Sequence, residues 1–176
     1  YGRITIRMAG KGVAFRDRVI GSEIGTKRQF VARTGQFVLS KIDARNGAFG
    51  VLPDDCDNAI VTGNFWVFDV DHSQLDSQFF NYLSKSPEFV AACVAASDGT
   101  TNRRYLQEDA FLDMAVPIPD LCTQQALVAR LDALAEKNRR LEAHLDAVER
   151  DAEHLLALRF RDAIANAPLR PMAEIA

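Results

Sequence analysis

The chain has 176 residues, which accommodates one ordinary domain of about 100–150 residues and an additional segment. Its hydrophobic content of 48% excludes a disordered protein, and no apolar run approaches the roughly 20 residues of a membrane-spanning helix. The formal net charge of −3 is unevenly distributed: residues 1–50 carry ten Lys and Arg against three acidic residues, whereas residues 51–100 carry one lysine and eight acidic residues. A basic segment of this kind favours a polyanionic partner, although a merely solvated face gives the same pattern.

The first 70 residues favour β-strands. Four segments are rich in β-branched and aromatic residues and are separated by glycine and proline; they cover residues 13–20, 36–42, 59–61 and 65–70. A helix is predicted to begin near Asp76. Ser86, Pro87 and Glu88 then provide an N-cap hydroxyl, a proline at the first helical position and an acid in the first turn, which predicts a second helix that ends at Ala96.

The segment after the second helix is predicted to contain little regular structure. A Ser-Asp-Gly sequence at 97–99 is expected to end that helix. Residues 107–112 favour a single helical turn, and residues 114–119 favour an edge strand, because two prolines there cannot donate to a neighbouring strand. Thr123 is then expected to cap a long helix.

From Thr123 to Ala167 no glycine or proline interrupts a pattern typical of one long helix. The mainly apolar residues along one side of this helix are spaced alternately by four and three residues, which is the heptad repeat of a coiled coil. The residues predicted to pair are Leu127, Leu131, Leu134, Asn138, Leu141, Leu145, Val148, Ala152 and Leu155. A single helix cannot bury such a stripe, so we expect a second helix to cover it. The polar member, Asn138, is compatible with fixing the register of that pair and equally with ordinary coiled-coil polarity.

The sequence contains no recognisable catalytic or metal-binding constellation. No acidic residue stands two positions before a lysine, as common metal-dependent nucleases require, and no Asn-Pro-Pro-Tyr or Asp-Pro-Pro-Tyr segment is present. No glycine-rich nucleotide-binding loop is present either, and the three histidines are isolated. The three cysteines are far apart, which argues against a disulfide framework or a zinc ribbon and favours the cytoplasm. We therefore predict a protein that is not an enzyme and holds no metal or cofactor.

Two segments combine side chains suited to nucleic acid. The first, residues 36–50, is a strand that leads through Lys41, Arg45 and Asn46 into a glycine-rich turn, where we expect backbone N–H groups to be free as well. The second, residues 97–106, places two threonines, an asparagine and two arginines in a loop after a helix. Arg and Asn are suited to bidentate contacts with guanine and adenine, and Thr is suited to phosphate contacts.

In these segments the sequence resembles the specificity subunit of type I restriction-modification systems. Ser-Lys-Ile-Asp-Ala-Arg-Asn-Gly-Ala-Phe-Gly at 40–50, Ala-Ile-Val-Thr-Gly-Asn-Phe at 59–65 and Gly-Thr-Thr-Asn-Arg at 99–103 resemble the target recognition domain of that family. Val-Pro-Ile-Pro at 116–119, followed by Thr-Gln-Gln-Ala-Leu-Val at 123–128, resembles the entry into its spacer helix. The start at Tyr1 rather than Met favours a fragment of a longer polypeptide, in which the first part of the recognition domain is missing.

The resemblance implies an α+β fold, in which a mixed, β-rich target recognition domain is followed by a long coiled-coil helix. We assign the recognition domain to residues 1–120, the spacer helix to residues 121–167, and a linker or the start of a second recognition domain to residues 168–176. The resemblance also implies a non-catalytic subunit that binds double-stranded DNA. Such a subunit directs a modification subunit, which is an adenine methyltransferase, and a restriction subunit, which is a nuclease-translocase, to a bipartite site. S-adenosylmethionine, ATP and Mg²⁺ would belong to those partners.

The residues expected to contact DNA come from the basic segment and from the two motifs. They are Arg16, Lys27, Arg28, Lys41, Arg45, Asn46, Thr100, Thr101, Asn102, Arg103 and Arg104. For Lys41 and Arg45, an ion pair with Asp43 within the domain is an alternative to phosphate contact, and the Thr-Thr-Asn-Arg sequence is equally compatible with a structural loop. Pairing with an equivalent helix, or homodimerisation, is expected to hold two recognition domains apart. The recognition module of a fused methyltransferase-nuclease and a coiled-coil adaptor without DNA affinity are the alternative functions.

Overall fold

The structure is a computed structural model that describes residues 1–100 and 103–174. In this part of the chain, mixed β-sheets occupy the N-terminal portion and one long helix follows, which confirms the predicted α+β fold. The chain divides into two units, residues 1–129 and residues 130–176. The long helix spans this boundary, and no helix within the described ranges is long and apolar enough to cross a membrane.

Short strands dominate the first unit, because β-branched and aromatic residues alternate there with glycine-containing turns. The described strands are β1 (Gly2–Arg7), β2 (Gly12–Arg18), β3 (Gln29–Ala32), β4 (Phe37–Ser40), β5 (Phe49–Val51), β6 (Ala59–Thr62), β7 (Phe65–Phe68), β8 (Ser97–Thr100) and β9 (Arg103–Leu106). They form a four-stranded sheet in the order β2-β1-β6-β3, a three-stranded sheet in the order β5-β4-β7, and the hairpin β8-β9. In the first sheet β1 pairs antiparallel with β2 and parallel with β6, so this sheet is mixed.

The described α-helices are α1 (Ser77–Leu83), α2 (Pro87–Ala95), α3 (Glu108–Leu112) and α4 (Leu121–Ile164). The first two begin where a side chain satisfies a free N–H group of the first turn. The carboxylate of Asp76 accepts the N–H of Phe79 at 2.8 Å, and the hydroxyl of Ser86 accepts the N–H of Phe89 at 3.2 Å. The sequence predicts both of these helix starts and the helical turn near residues 107–112, and the structure confirms them.

The start and the end of α4 differ from the prediction. Asp120, not Thr123, caps the helix, because its carboxylate accepts both the N–H and the hydroxyl of Thr123, at 3.0 and 2.7 Å. These bonds hold the pKa of the Asp120 carboxyl below its ordinary value, and the bond from the Thr123 hydroxyl is the largest cause. The helix ends at Ile164 rather than Ala167, because the helical conformation is disfavoured for the residue before Pro168.

Two predictions for the segment that precedes α4 are wrong. The sequence predicts a loop over residues 97–106, but the described residues 97–100 and 103–106 form the antiparallel strands β8 and β9, in which Ser97 pairs with Leu106. The sequence also predicts an edge strand over residues 114–119, but these residues lie in no strand. Their two prolines remove two of the backbone donors that pairing with a neighbour would use.

Strand β4 is buried on both faces and joins the two cores of the first unit. On one face Phe37 and Leu39 pack in a cluster with Phe89 of α2. On the other face Val38 packs in a second cluster that includes Ala32 of the first sheet. Because successive strand residues point to opposite faces, β4 lies between the first sheet and helix α2. The backbone that continues from the end of β4, beginning with Lys41, is therefore held in place by the core.

Candidate nucleic-acid interface

The backbone of Lys41, in the 40–50 motif, contacts the 59–65 motif and the end of strand β9, which begins at Arg103 of the third motif. Its N–H donates to the carbonyl of Asn64 at 2.9 Å, in the turn between β6 and β7. Its carbonyl accepts the N–H of Leu106 at 2.8 Å, at the end of β9. The end of β4, the β6-β7 turn and the base of the β8-β9 hairpin are therefore held together by two backbone hydrogen bonds. The sequence places these motifs up to 60 residues apart, whereas the fold makes them neighbours.

The side chain of Lys41 points to an aromatic ring and not to an acid. Its ammonium lies 5.0 Å from the ring centroid of Trp66 on β7. In the part of the chain that the structure describes, no ion pair joins Asp43 to Lys41 or Arg45, so the predicted alternative of an intradomain pair is wrong. The carboxylate of Asp43 instead accepts the side-chain amide of Asn46 at 3.2 Å. The charge of Lys41 is therefore available to a ligand.

Arg28 repeats this arrangement on the first sheet. Its guanidinium carbon lies 5.4 Å from the ring centroid of Phe30, which is 41% exposed on the edge strand β3. Phe30 and Lys41 both line a concavity of about 220 Å³, whose other walls are Gly63, Phe65, Trp66 and Val67. Lys41 therefore lines this small, mainly apolar concavity, and Arg28, which is not part of its lining, stands over one of the rings that are.

Two larger concavities adjoin this one along the first sheet. The nearer has a volume of about 250 Å³, includes Arg16 in its lining, and shares Phe65 with the small concavity. The farther has a volume of about 580 Å³, includes Lys27, and shares Gln29 with the nearer one. We call the surface formed by the three concavities and the cations Arg16, Lys27, Arg28 and Lys41 the basic surface. The structure thus brings together four of the residues predicted to contact DNA.

Glu23 lines the nearer concavity, whereas Asp17, which lies beside Arg16, is neutralised by Arg3. Arg3 makes two hydrogen bonds to the carboxylate of Asp17, at 2.7 and 2.6 Å, across the β1-β2 pair. The hydrogen bond from Arg3 is the largest cause of the lowered pKa of Asp17, which stays ionised at neutral pH. Asp17 also lies 3.7 Å from the exposed guanidinium of Arg16, a longer and weaker contact. Arg16 therefore retains most of its capacity to meet a phosphate.

The turn that carries Arg45 and Asn46 does not offer free backbone donors, so that expectation is wrong. The N–H groups of Asn46 and Ala48 donate to the carbonyl of Asp43, at 2.8 and 3.1 Å, and the N–H of Gly47 donates to the carbonyl of Ala44 at 2.9 Å. Neither Arg45 nor Asn46 lines the basic surface. The turn packs instead against the β1-β2 connection. The resemblance here is carried at least partly by residues that build the fold.

Arg45 keeps one unusual feature, because its Nε is buried and has no hydrogen-bond partner among the described residues. Arg104 is engaged, since its guanidinium donates to the carbonyl of Ser97 at 2.7 Å and bridges the two strands of the β8-β9 hairpin. Thr101 and Asn102 lie outside the described residues. Thr100 and Arg103 end β8 and begin β9, so the structure describes their backbone position in the hairpin. DNA contact by these residues stays a prediction.

The residues predicted to pair lie on α4 and are uncovered. The exposed fraction of its seam leucines runs from 37% at Leu131 to 66% at Leu145. The side-chain amide of Asn138 donates to the carboxylate of Glu142 at 2.8 Å on the same helix. Such exposure is what a single strand of a coiled coil shows before a second helix covers it. Helix pairing therefore stays a prediction.

Sequence reasoning did not assign a role to Gln124, which the structure shows to be fully buried. Its amide nitrogen donates to the carbonyls of Gln74 and Pro119, at 2.8 and 2.7 Å, and its amide oxygen accepts the N–H of Asp76 at 2.8 Å. These bonds anchor the first turn of α4 to the cap of α1. Gln124 lies one heptad before Leu131, at the same a position of the heptad repeat. A polar residue at this inward-facing position is the sequence feature that could have indicated a buried role.

The aromatic residues of the basic surface were also missed. Phe30 lies in a short strand whose flanking residues are polar, and Trp66 lies in an aromatic strand that is typical of a core. Arg28 and Phe30 are two residues apart, so they point to the same side wherever the chain is extended. Lys41 precedes Trp66 by 25 residues, and its contact with the ring depends on the pairing of β4 with β7.

The sequence matches no protein-family model and no curated protein. The fold matches the crystal structure of the HsdS subunit from Thermoanaerobacter tengcongensis, with a TM-score of 0.71 and 18% sequence identity over 97% of this chain and 46% of that chain. It also matches a chain from a structure that addresses complex assembly and conformational transition of the type I R-M system, with a TM-score of 0.65 and 20% identity over 91% of this chain and 41% of that one. This chain therefore spans less than half the length of these two solved chains. It shares the fold of HsdS specificity subunits of type I restriction-modification systems, which confirms the resemblance seen in its sequence.

Proposed function

We propose that the chain is a sequence-specific DNA recognition part of a type I restriction-modification specificity subunit and has no catalytic activity of its own. The observation that carries this proposal is the pair of backbone bonds that join Lys41 to the 59–65 motif and to strand β9, beside a surface with four cations, in a fold shared with HsdS over 97% of the chain. Cations without strong acidic partners are suited to phosphates, whose contacts fix the register of a protein on the duplex. Base readout is then assigned to side chains that reach into a groove, and the Thr-Thr-Asn-Arg segment is our candidate for this role.

The exposed seam of α4 is assigned to helix pairing. A second equivalent helix, from the same longer polypeptide or from a second copy, would lie antiparallel to α4 and carry its own recognition domain at the far end. The 44 residues of α4 correspond to a length of about 66 Å, which is close to two turns of B-DNA of about 34 Å each. The helix pair would thereby set the gap between the two halves of a bipartite site.

The chemistry is assigned to partner subunits. An adenine methyltransferase that uses S-adenosylmethionine would dock on the paired helices, and a nuclease-translocase that uses ATP and Mg²⁺ would join it for cleavage. In the described residues, no group of three or more His, Cys, Asp or Glu side chains is arranged to hold a metal ion. This chain would supply DNA recognition, and the partner subunits would supply catalysis.

Duplex binding is the first test of the proposal. The affinity of the purified chain for double-stranded DNA should fall steeply as salt rises, because phosphate contacts release counterions. Lys41→Ala and Arg103→Ala should weaken binding without unfolding the first unit. Lys41→Ala, at a phosphate contact, should reduce the salt slope by about one, whereas Arg103→Ala, in the base-readout segment, should cost about 1–3 kcal/mol and relax the sequence preference. Arg33→Ala, an exposed arginine outside the basic surface, is the matched control. A coiled-coil adaptor would show no duplex binding at any salt.

Co-expression with candidate methyltransferase subunits tests the whole assignment. Mapping of methyladenine in the host genome should reveal one bipartite motif that appears only when this chain is present. Methylation or cleavage of DNA by this chain unaided would contradict the assignment and favour a fused enzyme. The same genome map would give the target bases and the gap, so function, partner and target are read together.

A further inference from the structure

Two aromatic side chains on the basic surface each hold a cation. Arg28 stands over Phe30 at 5.4 Å and Lys41 over Trp66 at 5.0 Å, and both separations lie within the roughly 6 Å range of cation–π attraction. We propose that Phe30 and Trp66 are positioning residues, which hold Arg28 and Lys41 ready to contact DNA phosphates. This inference rests on the proposed function and adds two residues that do not bind phosphate themselves.

The two pairs act on one place although they come from different sheets. Phe30 lies on the edge strand β3 of the first sheet, and Trp66 lies on β7 of the second. Both rings line the same concavity of about 220 Å³, and Gly63 closes it: a β-carbon added at Gly63 would lie 3.9 Å from the Phe30 ring. Lys41 therefore borders this small site directly, and Arg28 stands beside it over the ring of Phe30.

A ring keeps a cation available where a carboxylate does not. Arg3 is bound by the carboxylate of Asp17 through two short hydrogen bonds, which neutralise its charge and occupy its donors. In the described ranges, neither Arg28 nor Lys41 forms an ion pair with an acidic residue. A ring restricts the rotamers of the cation but leaves its N–H groups free, so less conformational entropy is lost when a phosphate binds.

The backbone adds to this order at Lys41. Both its N–H and its carbonyl are hydrogen-bonded, to Asn64 and to Leu106. The base of its side chain is therefore fixed, and the ring of Trp66 fixes the charged end. A cation held at both ends is preorganised for a ligand.

Phe30 gives the cleaner test of the two rings. It is 41% exposed and belongs to neither hydrophobic core cluster, so its removal should leave the fold intact. Trp66 also packs against the aromatic rings of Phe68 and Phe111, at centroid distances of 6.1 and 6.4 Å. A change at Trp66 therefore combines loss of positioning with loss of packing.

A double-mutant cycle separates positioning from direct contact. The duplex affinity of the full chain is measured over a salt series for the wild type, Arg28→Gln, Phe30→Leu and the double variant. Arg28→Gln should lower the affinity and reduce the salt slope by about one. Phe30→Leu should lower the affinity about two- to five-fold with Arg28 present, the usual strength of an exposed cation–π contact, and should have no effect in the Arg28→Gln background.

Two controls accompany the cycle. Phe30→Tyr keeps the ring face and should retain wild-type affinity. Thr34→Ala changes an exposed residue just after β3 that lines none of the three concavities, and should leave the affinity unchanged. An unfolding curve for each variant verifies that the first unit is folded.

The outcomes distinguish this inference from the function on which it rests. An equal loss from Phe30→Leu in both backgrounds would mean that the ring contacts DNA directly, and no loss in either would mean that it has no role; each result overturns the inference and leaves DNA recognition standing. Absence of duplex binding by the wild type at every salt would overturn the proposed function itself.

Discussion

Gly47→Ala should destabilise the first unit more than any other glycine-to-alanine change outside the basic surface. Gly47 has a φ of 74°, in the left-handed region, and a β-carbon at this position would lie 2.8 Å from the backbone nitrogen of Gly10. Real β-carbons do not approach backbone so closely, so the β1-β2 connection would have to move. That movement breaks two hydrogen bonds, from Ala9 N–H to the Asn46 carbonyl at 2.7 Å and from Gly10 N–H to the Gly47 carbonyl at 3.1 Å.

The magnitude follows from these two effects. A left-handed conformation costs a residue with a β-carbon about 1–2 kcal/mol, and each lost hydrogen bond costs about 0.5–1.5 kcal/mol. The free energy of unfolding should therefore fall by about 2–5 kcal/mol. Two other glycines provide controls, because no atom lies within 4 Å of a β-carbon built at either one. Gly35→Ala, with a φ of 82°, should show only the conformational cost, and Gly25→Ala should be nearly neutral.

Urea unfolding followed by tryptophan fluorescence is the assay. Trp66 is the single tryptophan of the chain and lies in the first unit, so its signal reports on that unit and not on the exposed part of α4. The three variants should rank Gly25→Ala, Gly35→Ala and Gly47→Ala in order of increasing loss. If Gly47→Ala lost no more than Gly35→Ala, the packing of the turn against the β1-β2 connection would be refuted.

Three further predictions concern α4. Gln124→Leu should lower the free energy of unfolding by about 2–3 kcal/mol, because it strands two buried carbonyls and one N–H, whereas the exposed Gln125→Leu should change it by less than about 0.5 kcal/mol in the same urea assay. Because the pKa of Asp120 is lowered in the folded state, the stabilisation by its carboxylate is complete above the unfolded-state pKa of 3.8 and is lost as the pH falls through the lower folded-state pKa. The difference in unfolding free energy between wild type and Asp120→Ala should therefore shrink in acid. Urea unfolding at several pH values measures it. Leu141→Asp should abolish helix pairing in sedimentation at tens of micromolar while circular dichroism remains helical, and a wild type that stays monomeric without a partner helix would count against self-pairing.

Much of the local structure was predictable, because it depends on residues close together in the sequence. The cap of α2 follows from Ser86 and Pro87, and the long helix follows from its uninterrupted heptads. The recognition-domain resemblance likewise follows from short ordered motifs, and the shared fold confirms it. Predictions failed where local preference is weak. Strand β3 has only four residues (Gln-Phe-Val-Ala) between two arginines, and β8 (Ser-Asp-Gly-Thr) is polar; pairing with other strands overrides these weak local signals.

The candidate site shows the same division. Residue type alone identified Arg16, Lys27, Arg28 and Lys41 as cations, because charge is a property of each side chain. Their assembly into one surface required β3 to pair with β6 and β4 with β7, and the same fold removed the backbone donors expected near Gly47 by using them in its own turn. A hydrogen bond or a cation–π contact between distant residues exists only when the chain has closed the loop between them. Local sequence preferences carry no information about that closure, so the composition of the site was fixed by the residues and its geometry by long-range packing.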